Sequence, residues 1–444
     1  MVIARYALNT AMSPRSREPL DLAQEQSINE TAHSRAIEIC VEDHPKMVTP
    51  ASLAWARTLG ITALEMGVQT TNDVVHALTK RDSTRHQLIR RARLTKEFGL
   101  KTLAHIMPDL PGSDPAVDKA VVDDITGGSG FVRARDFRCL AAPLSAAVSV
   151  MVFATTGWPR GGHALLCAVI CAAASACAVL ALDACCALER HFLFDYDRFK
   201  LYPTMVLEFS ELKKWYAAGK YVPYFERHGA DALFDVVQYF MEHVKPHQRI
   251  ERIIRDVPAA KQKSRPNYVV GGVNVTNANQ IVQKRMETRG LRCKCLRSRE
   301  IRDHYSDVSS AVLHEFHYHA NGGNEWFFSF ETPDRRFVYG FVKMRINNCR
   351  DYGHLPREIR GCDVALIRWL QVYGRAIPIG GGRKERSSQH MGFGKRLMAH
   401  AEDVARRHGC TRLADISGIG VRPYYRNLGY TLDGTYMIKN IRGY

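Results

Sequence analysis

Gln389-His390-Met391-Gly392-Phe393-Gly394 lies between a polar loop, Gly380 to Ser388, and an amphipathic pattern that predicts a helix from Lys395 to His408. A glycine turn opening a helix presents unpaired backbone N–H groups and the positive end of the helix dipole, and the missing side chains let a pyrophosphate approach the main chain. The Q-x-x-G-x-G spacing alone is equally satisfied by a tight turn before any helix. Its neighbours sharpen it. A strand over Ile367 to Tyr373 precedes the motif, a strand over Leu413 to Ile416 follows the helix, and Tyr424-Tyr425-Arg426-Asn427-Leu428-Gly429-Tyr430 comes next. Gly392, Phe393, Gly394 and Lys395, with Gln389 ahead of them, are the candidate anion-binding residues. Tyr424 and Tyr425 are candidate acids, with plain packing as the competing reading.

The chain has 444 residues, enough for two or three domains with separate cores. Lys and Arg outnumber Asp and Glu 62 to 45, a net charge of +17 that favours a polyanionic partner such as nucleic acid or an anionic membrane; a solvated basic surface is the plainer reading. Twelve cysteines without a secretory signal read as free thiols or ligands in a reducing compartment.

Upstream the pattern alternates. After a polar tail over 1–25 it predicts a helix starting at Asn29-Glu30-Thr31, a strand Ala36 to Val41, and a helix through Leu53, Trp55 and Leu59. A strand Ala63 to Val68, one long helix Asn72 to Phe98 closed by Gly99, and a strand Leu100 to Met107 follow. Such βα repetition indicates a parallel sheet or barrel. Lys80 to Lys96, with Arg81, Arg85, Arg90, Arg91 and Arg93, would place a basic face on that helix, for phosphate or for solvent.

Two uncharged runs, Ala141 to Trp158 and Ala164 to Leu182, approach the roughly 20 residues that cross a bilayer. A membrane hairpin is one reading, with Arg133, Arg135 and Arg138 on the cytosolic flank. The globular pattern resumes at Asp195, with a strand ending at Tyr202-Pro203-Thr204 and a helix from Ser210 through Trp215. A tract from Lys284 to Arg302 sets eight basic residues against Glu287 and Glu300, and contains Cys293-Lys294-Cys295. Strands near Trp326 to Phe330, Phe337 to Ile346 and Val364 to Tyr373 complete a second α/β pattern.

The order strand, phosphate loop, helix, strand and tyrosine-bearing helix resembles the GNAT acetyltransferase fold, in which a tyrosine near the coenzyme A sulfur can protonate the departing thiolate. Gln389 to Met398, Ile416-Ser417-Gly418 and Tyr424-Tyr425-Arg426 are similar, more narrowly, to the catalytic subunit of Elongator. So are Asn29-Glu30-Thr31, Glu65-Met66-Gly67-Val68-Gln69, His105-Ile106-Met107-Pro108-Asp109-Leu110-Pro111-Gly112 and Lys200-Leu201-Tyr202-Pro203-Thr204. That family joins a radical S-adenosylmethionine domain to a GNAT domain and modifies the wobble uridine of tRNA.

The resemblance implies an α/β fold: an incomplete radical-SAM (βα) barrel over 26–125 and 191–275, an apolar insertion over 126–190, a basic linker over 276–310, and a GNAT acetyltransferase domain over 311–444. It implies acetyl-coenzyme A contacts at Trp369, Leu370, Gln371 and Val372, at Phe393, Gly394 and Lys395, and at Tyr425. Trp369 and Gln371 replace the family's Glu and His. Three cysteines spaced C-x(n)-C-x-x-C hold a 4Fe–4S cluster in the family, and no such triplet occurs in this sequence; Cys167, Cys171 and Cys177 have the wrong spacing and place. The chain therefore reads as starting after that point, and the insertion as a membrane hairpin or as translated intron. Cys293 and Cys295 stand where the family binds zinc, but Ser298 takes the place of a third thiolate; His304 is a candidate helper.

Implied partners are tRNA, other Elongator subunits and a second copy of the chain, in the cytoplasm or nucleus. Two other functions stay open: a protein lysine acetyltransferase, with Glu325 or Asp415 as base, and a subunit that binds tRNA without turnover.

Overall fold

The computed structural model describes residues 18, 20–127, 191–253, 269–273, 275, 277–302, 308–348, 351–374 and 392–442. In chain order these form α1 (Leu22–Thr31), β1 (Cys40–Asp43), α2 (Pro50–Thr58), β2 (Ala63–Gln69), α3 (Asp73–Leu78), α4 (Arg85–Glu97), β3 (Lys101–Ile106) and α5 (Pro115–Thr126). Next come β4 (His191–Phe192), β5 (Arg198–Leu201), β6 (Met205–Leu207), α6 (Glu211–Ala217), α7 (Tyr224–Arg227), α8 (Ala230–His243), β7 (Arg249–Ile253), β8 (Val269–Gly272) and α9 (Ala278–Thr288). β1, β2, β3, β5 and β7 lie side by side and all parallel. Leu64, Met66, Ala104, Ile106, Phe199 and Leu201 turn one face of this sheet onto Leu88, Ala92, Val121, Leu233 and Phe240 of the helices.

The helix starts are chemically marked. Thr49 and Thr84 each form a capping box, with Ser52 and Gln87, and Asp114 caps α5 ahead of Pro115. The cap at Thr84 corrects the single helix expected over Asn72 to Phe98: α3 stops at Leu78, Lys80 takes φ +54°, and a new helix begins at Arg85. The basic face goes with it. Arg81 donates to the Gly67 carbonyl, Arg85 to Asp124 at 2.6 Å, Arg91 to the Val48 carbonyl at 2.6 Å, and Lys96 is buried on Asp195; Arg90 remains exposed. Asn29-Glu30-Thr31 ends a helix rather than starting one, because Asp21 caps it ten residues earlier and so also shortens the expected polar tail. The first strand lies at Cys40–Asp43, later than the expected Ala36 to Val41.

A second sheet follows from β9 (Val312–Ala320), β10 (Gly323–Glu331), β11 (Val338–Asn347), β12 (Val364–Val372), α10 (Phe393–Arg407), β13 (Arg412–Asp415), α11 (Arg422–Arg426), β14 (Thr431–Asp433) and β15 (Tyr436–Asn440). Its order is β14-β15-β13-β12-β11-β10-β9-β4, antiparallel except that β12 runs with β13 and β9 with β4. Leu397, Met398, Ala401 and Val404 press α10 onto Phe341, Ile367 and Leu413.

The two sheets meet through buried charge. Lys96 pairs with Asp195, Asp197 with Lys343 at 2.7 Å and with Arg368 at 2.7 Å, and Glu325 with Arg345 at 2.8 Å and Arg368 at 3.2 Å. All seven side chains are at most 1% exposed. Around them Tyr436 donates to the Phe98 carbonyl at 3.0 Å, and Arg57 reaches the Thr435 carbonyl. The apolar runs Ala141 to Trp158 and Ala164 to Leu182 lie outside the described residues, among which no helix is long and apolar enough to cross a membrane.

Candidate functional site

β12 and β13 pair from Val364 and Arg412 as far as Ile367 and Asp415, after which β12 runs on against β11 alone. The main chain of Trp369, Leu370, Gln371 and Val372 thus has one edge on an opening between parallel strands. α10 begins beside it. Its cap, Gly392, takes φ +71° and supplies no side-chain acceptor, so among the described residues the N–H groups of the first turn have no side-chain cap. Phe393 is buried against Phe330 (centroids 4.7 Å apart) and Tyr339, which fixes the helix start. A Cβ on Gly394 would stand 2.5 Å from the Tyr424 hydroxyl, so that hydroxyl already occupies the space a side chain would need. Lys395 is exposed in the same turn. Gln389 lies outside the described residues.

The two tyrosines differ. Tyr424 is 37% exposed, while Tyr425 is buried, edge-on to Tyr424 and to Tyr430, with its hydroxyl against Asp415. Burial and Asp415 push the Tyr424 hydroxyl up to about 12 and Tyr425 well above its usual value. Asp415 itself is pushed up to about 7 by burial, against the opposing pull of Tyr425, Lys101 and Arg57. Glu325 is no free base: Arg345 and Arg368 hold it, and those cations with Lys96 outweigh burial and keep its pKa below the usual range.

Trp369 and Gln371 bond to each other, Nε1 to Oε1 at 3.1 Å. The Arg198 guanidinium lies 4.3 Å over the Trp369 ring, which seals this part of β12 against β5. Cys295 is buried, with Ser298 Oγ 3.3 Å from its sulfur; hydrogen bonds from Cys293 and Ser298 lower its pKa to about 6, and that of Cys293 rises. Among the described residues neither thiol joins a group of three ligand atoms, and His304 lies outside those residues.

On the parallel sheet's other face, Glu65 accepts from Lys200 at 2.6 and 2.7 Å and meets His105 Nε2 at 2.8 Å, while His105 Nδ1 lies 3.2 Å from Glu42. This cluster escaped the sequence reading, although alternation along β2 and β3 puts Glu65 and His105 on one face. The described cysteines, Cys40, Cys293, Cys295, Cys362 and Cys410, do not gather in threes, so these residues do not fit an iron–sulfur cluster.

Residues 196–288 match the radical SAM C-terminal domain, and 364–430 the GNAT acetyltransferase family. A tRNA uridine(34) acetyltransferase of Dehalococcoides mccartyi is 31% identical over 424 residues, 95% of this chain and 75% of the relative. One of Methanocaldococcus infernus is 30% identical over 432 residues, 96% and 66%. Elongator complex protein 3 of Schizosaccharomyces pombe is 29% identical over 437 residues, 97% and 66%. The chain spans 66% of the length of the Methanocaldococcus infernus relative and 64% of that of its Methanocaldococcus jannaschii counterpart. The solved structure of the archaeal Methanocaldococcus infernus Elp3 with an N-terminus deletion overlays with a TM-score of 0.74 at 28% identity, covering 99% of this chain and 85% of that one.

Proposed function

The chain belongs to the tRNA uridine(34) acetyltransferase family, whose radical-SAM and GNAT folds it joins in one molecule, and from that premise we propose that it supplies the acyl-donor site for modification of the wobble uridine of tRNA. Acetyl-coenzyme A, when bound, supplies a two-carbon unit activated as a thioester. The observation that carries the reading is the fork between β12 and β13 beside an uncapped glycine helix start. The N–H groups of Phe393, Gly394 and Lys395 would hold the pyrophosphate, with Gln389 ahead of them. The open main-chain edge of Trp369, Leu370, Gln371 and Val372 would run along the pantetheine arm. Tyr424, over Gly394, is the exposed hydroxyl of the site, and Tyr425 the buried one at its floor.

S-adenosylmethionine and a 4Fe–4S cluster belong to the radical fold in general, but the described cysteines do not form a place for the cluster. The acyl-donor half is the activity proposed for this chain. Arg289, Arg292 and Lys294 are exposed between α9 and Leu296, and would face the tRNA backbone. Partners of the same reading are tRNA and further Elongator subunits, in the cytoplasm or nucleus.

Thioester hydrolysis by the full chain, measured with and without tRNA, tests it. Release of acetate stimulated by tRNA is expected. Release indifferent to tRNA indicates a protein lysine acetyltransferase, and no release a binding subunit.

A further inference from the structure

Asp415 stands at the point of the fork, as the last residue of β13 that pairs with β12. Its side chain leaves the sheet on the same face as that of Leu413, two residues earlier, which packs with Leu397 and Met398 of α10. It therefore lies on the face of the sheet that α10 packs against, with Tyr425 of α11 beside it. Asp415 is 2% exposed, and its Oδ2 has no hydrogen-bond partner among the described residues. The Ser417 N–H and the Tyr425 hydroxyl attend the carboxyl.

The other titratable and charged groups that act on it are Tyr424, Tyr425 and Tyr430 on and after α11, Lys101 on β3, and Arg57 on α2. The two cations are engaged elsewhere, Lys101 with Glu38 at 2.8 Å and Arg57 with the Ile61 carbonyl at 2.6 Å and the Thr435 carbonyl. A buried carboxyl without a close cation keeps its proton near neutral pH, and burial places this one at about 7. A buried oxygen left without a partner is costly unless something bonds to it.

We propose that Asp415 is a positioning residue of the acyl-donor site: from the point of the fork it holds the Tyr425 hydroxyl in place and offers its second oxygen, as a carboxylic acid, to the thioester carbonyl of a bound acetyl-coenzyme A. This rests on the acyl-donor reading above. The neutral acid donates a hydrogen bond to that carbonyl, whereas the carboxylate repels it. Ligand binding and protonation of Asp415 are thereby linked.

Calorimetric titration of the full chain with acetyl-coenzyme A, from pH 6 to 8.5 in two buffers of different ionisation heat, reads that linkage without turnover. The wild type is expected to take up close to one proton per ligand above about pH 7, with affinity falling up to about tenfold per pH unit. Asp415→Asn is expected to show neither. Coenzyme A without its acetyl group, titrated into the wild type, is expected to take up no proton, which keeps the test independent of how the variant folds. No binding of acetyl-coenzyme A to the wild type overturns the acyl-donor reading and the proposal with it. Binding with equal proton uptake for both ligands, or for wild type and Asp415→Asn, overturns the proposal alone.

Discussion

Arg368 closes on Asp197 with two nearly parallel hydrogen bonds, Nη2 to Oδ1 at 2.7 Å and Nη1 to Oδ2 at 3.0 Å, and neither side chain reaches solvent. One residue lies on β12 and the other just ahead of β5, so the pair ties the two sheets together. Asp197 also accepts from Lys343 at 2.7 Å and from the Thr102 N–H at 2.8 Å. The cations outweigh burial and hold its pKa well below the usual carboxylate value. Asp197→Asn keeps the shape but leaves two cations uncompensated. It should cost about 3–5 kcal/mol, read as a lowered urea midpoint at pH 7. A loss below about 1 kcal/mol would show that the pair contributes nothing net. The linkage sign is that of a depressed acid: the stability is present above the unfolded pKa near 4 and lost as pH falls through the lower folded value.

Asp415 has the opposite sign. Its folded pKa is raised from 3.8 to about 7, so between those values the native state binds a proton that the unfolded chain has released. Its contribution is greatest below pH 4 and declines as pH rises toward 7. Asp415→Asn escapes that decline. The variant should melt several degrees above wild type at pH 8 and at or below it at pH 4.5, by differential scanning calorimetry; identical melting curves at pH 8 would mean that the carboxyl is not held protonated.

Gly394→Ala should separate stability from binding. The added methyl meets the end of a partly exposed Tyr424 side chain, which can swing toward solvent, so the melting temperature should stay within a few degrees. The methyl crowds the helix start, and acetyl-coenzyme A affinity should fall about tenfold or more by calorimetry. Unchanged affinity would remove Gly394 from the cradle.

Arg292 and Lys294 are exposed, whereas Arg299 pairs with Glu331 at 2.9 Å and donates to the Pro246 carbonyl at 2.9 Å. Changing Arg292 and Lys294 together to Glu should weaken tRNA binding and reduce the slope of log affinity against log salt by about two. Filter binding at several salt concentrations measures both, with far-ultraviolet circular dichroism expected to be unchanged. A slope equal to wild type would place the tRNA elsewhere.

What the sequence disclosed followed local chemistry. Gly392 and Gly394 before an amphipathic run, and apolar runs such as Trp326 to Phe330, mark α10 and β10 because helix starts and buried strands depend on nearby residues. The break between α3 and α4 was hidden, since Lys80-Arg81-Asp82-Ser83 reads as a charged helix surface and the deciding signal is one Thr84–Gln87 pair. Arg368 in the apolar run Val364 to Val372 looks like an outward residue of an edge strand; its partner lies 171 positions away, beyond the reach of any local pattern. Asp415 could be named from its place beside Ile416-Ser417-Gly418, but not its solitude, which depends on where Lys101 and Arg57 spend their hydrogen bonds.

The buried charges between the sheets also bear on ancestry. A fragment beginning at β9 would carry Lys343 and Arg368 without Asp197, and one ending before β9 would carry Asp197 without either cation. Each half taken alone therefore holds buried charges whose partners lie in the other. A substitution at Asp197, Lys343 or Arg368 on one side must suit the partner it meets on the other.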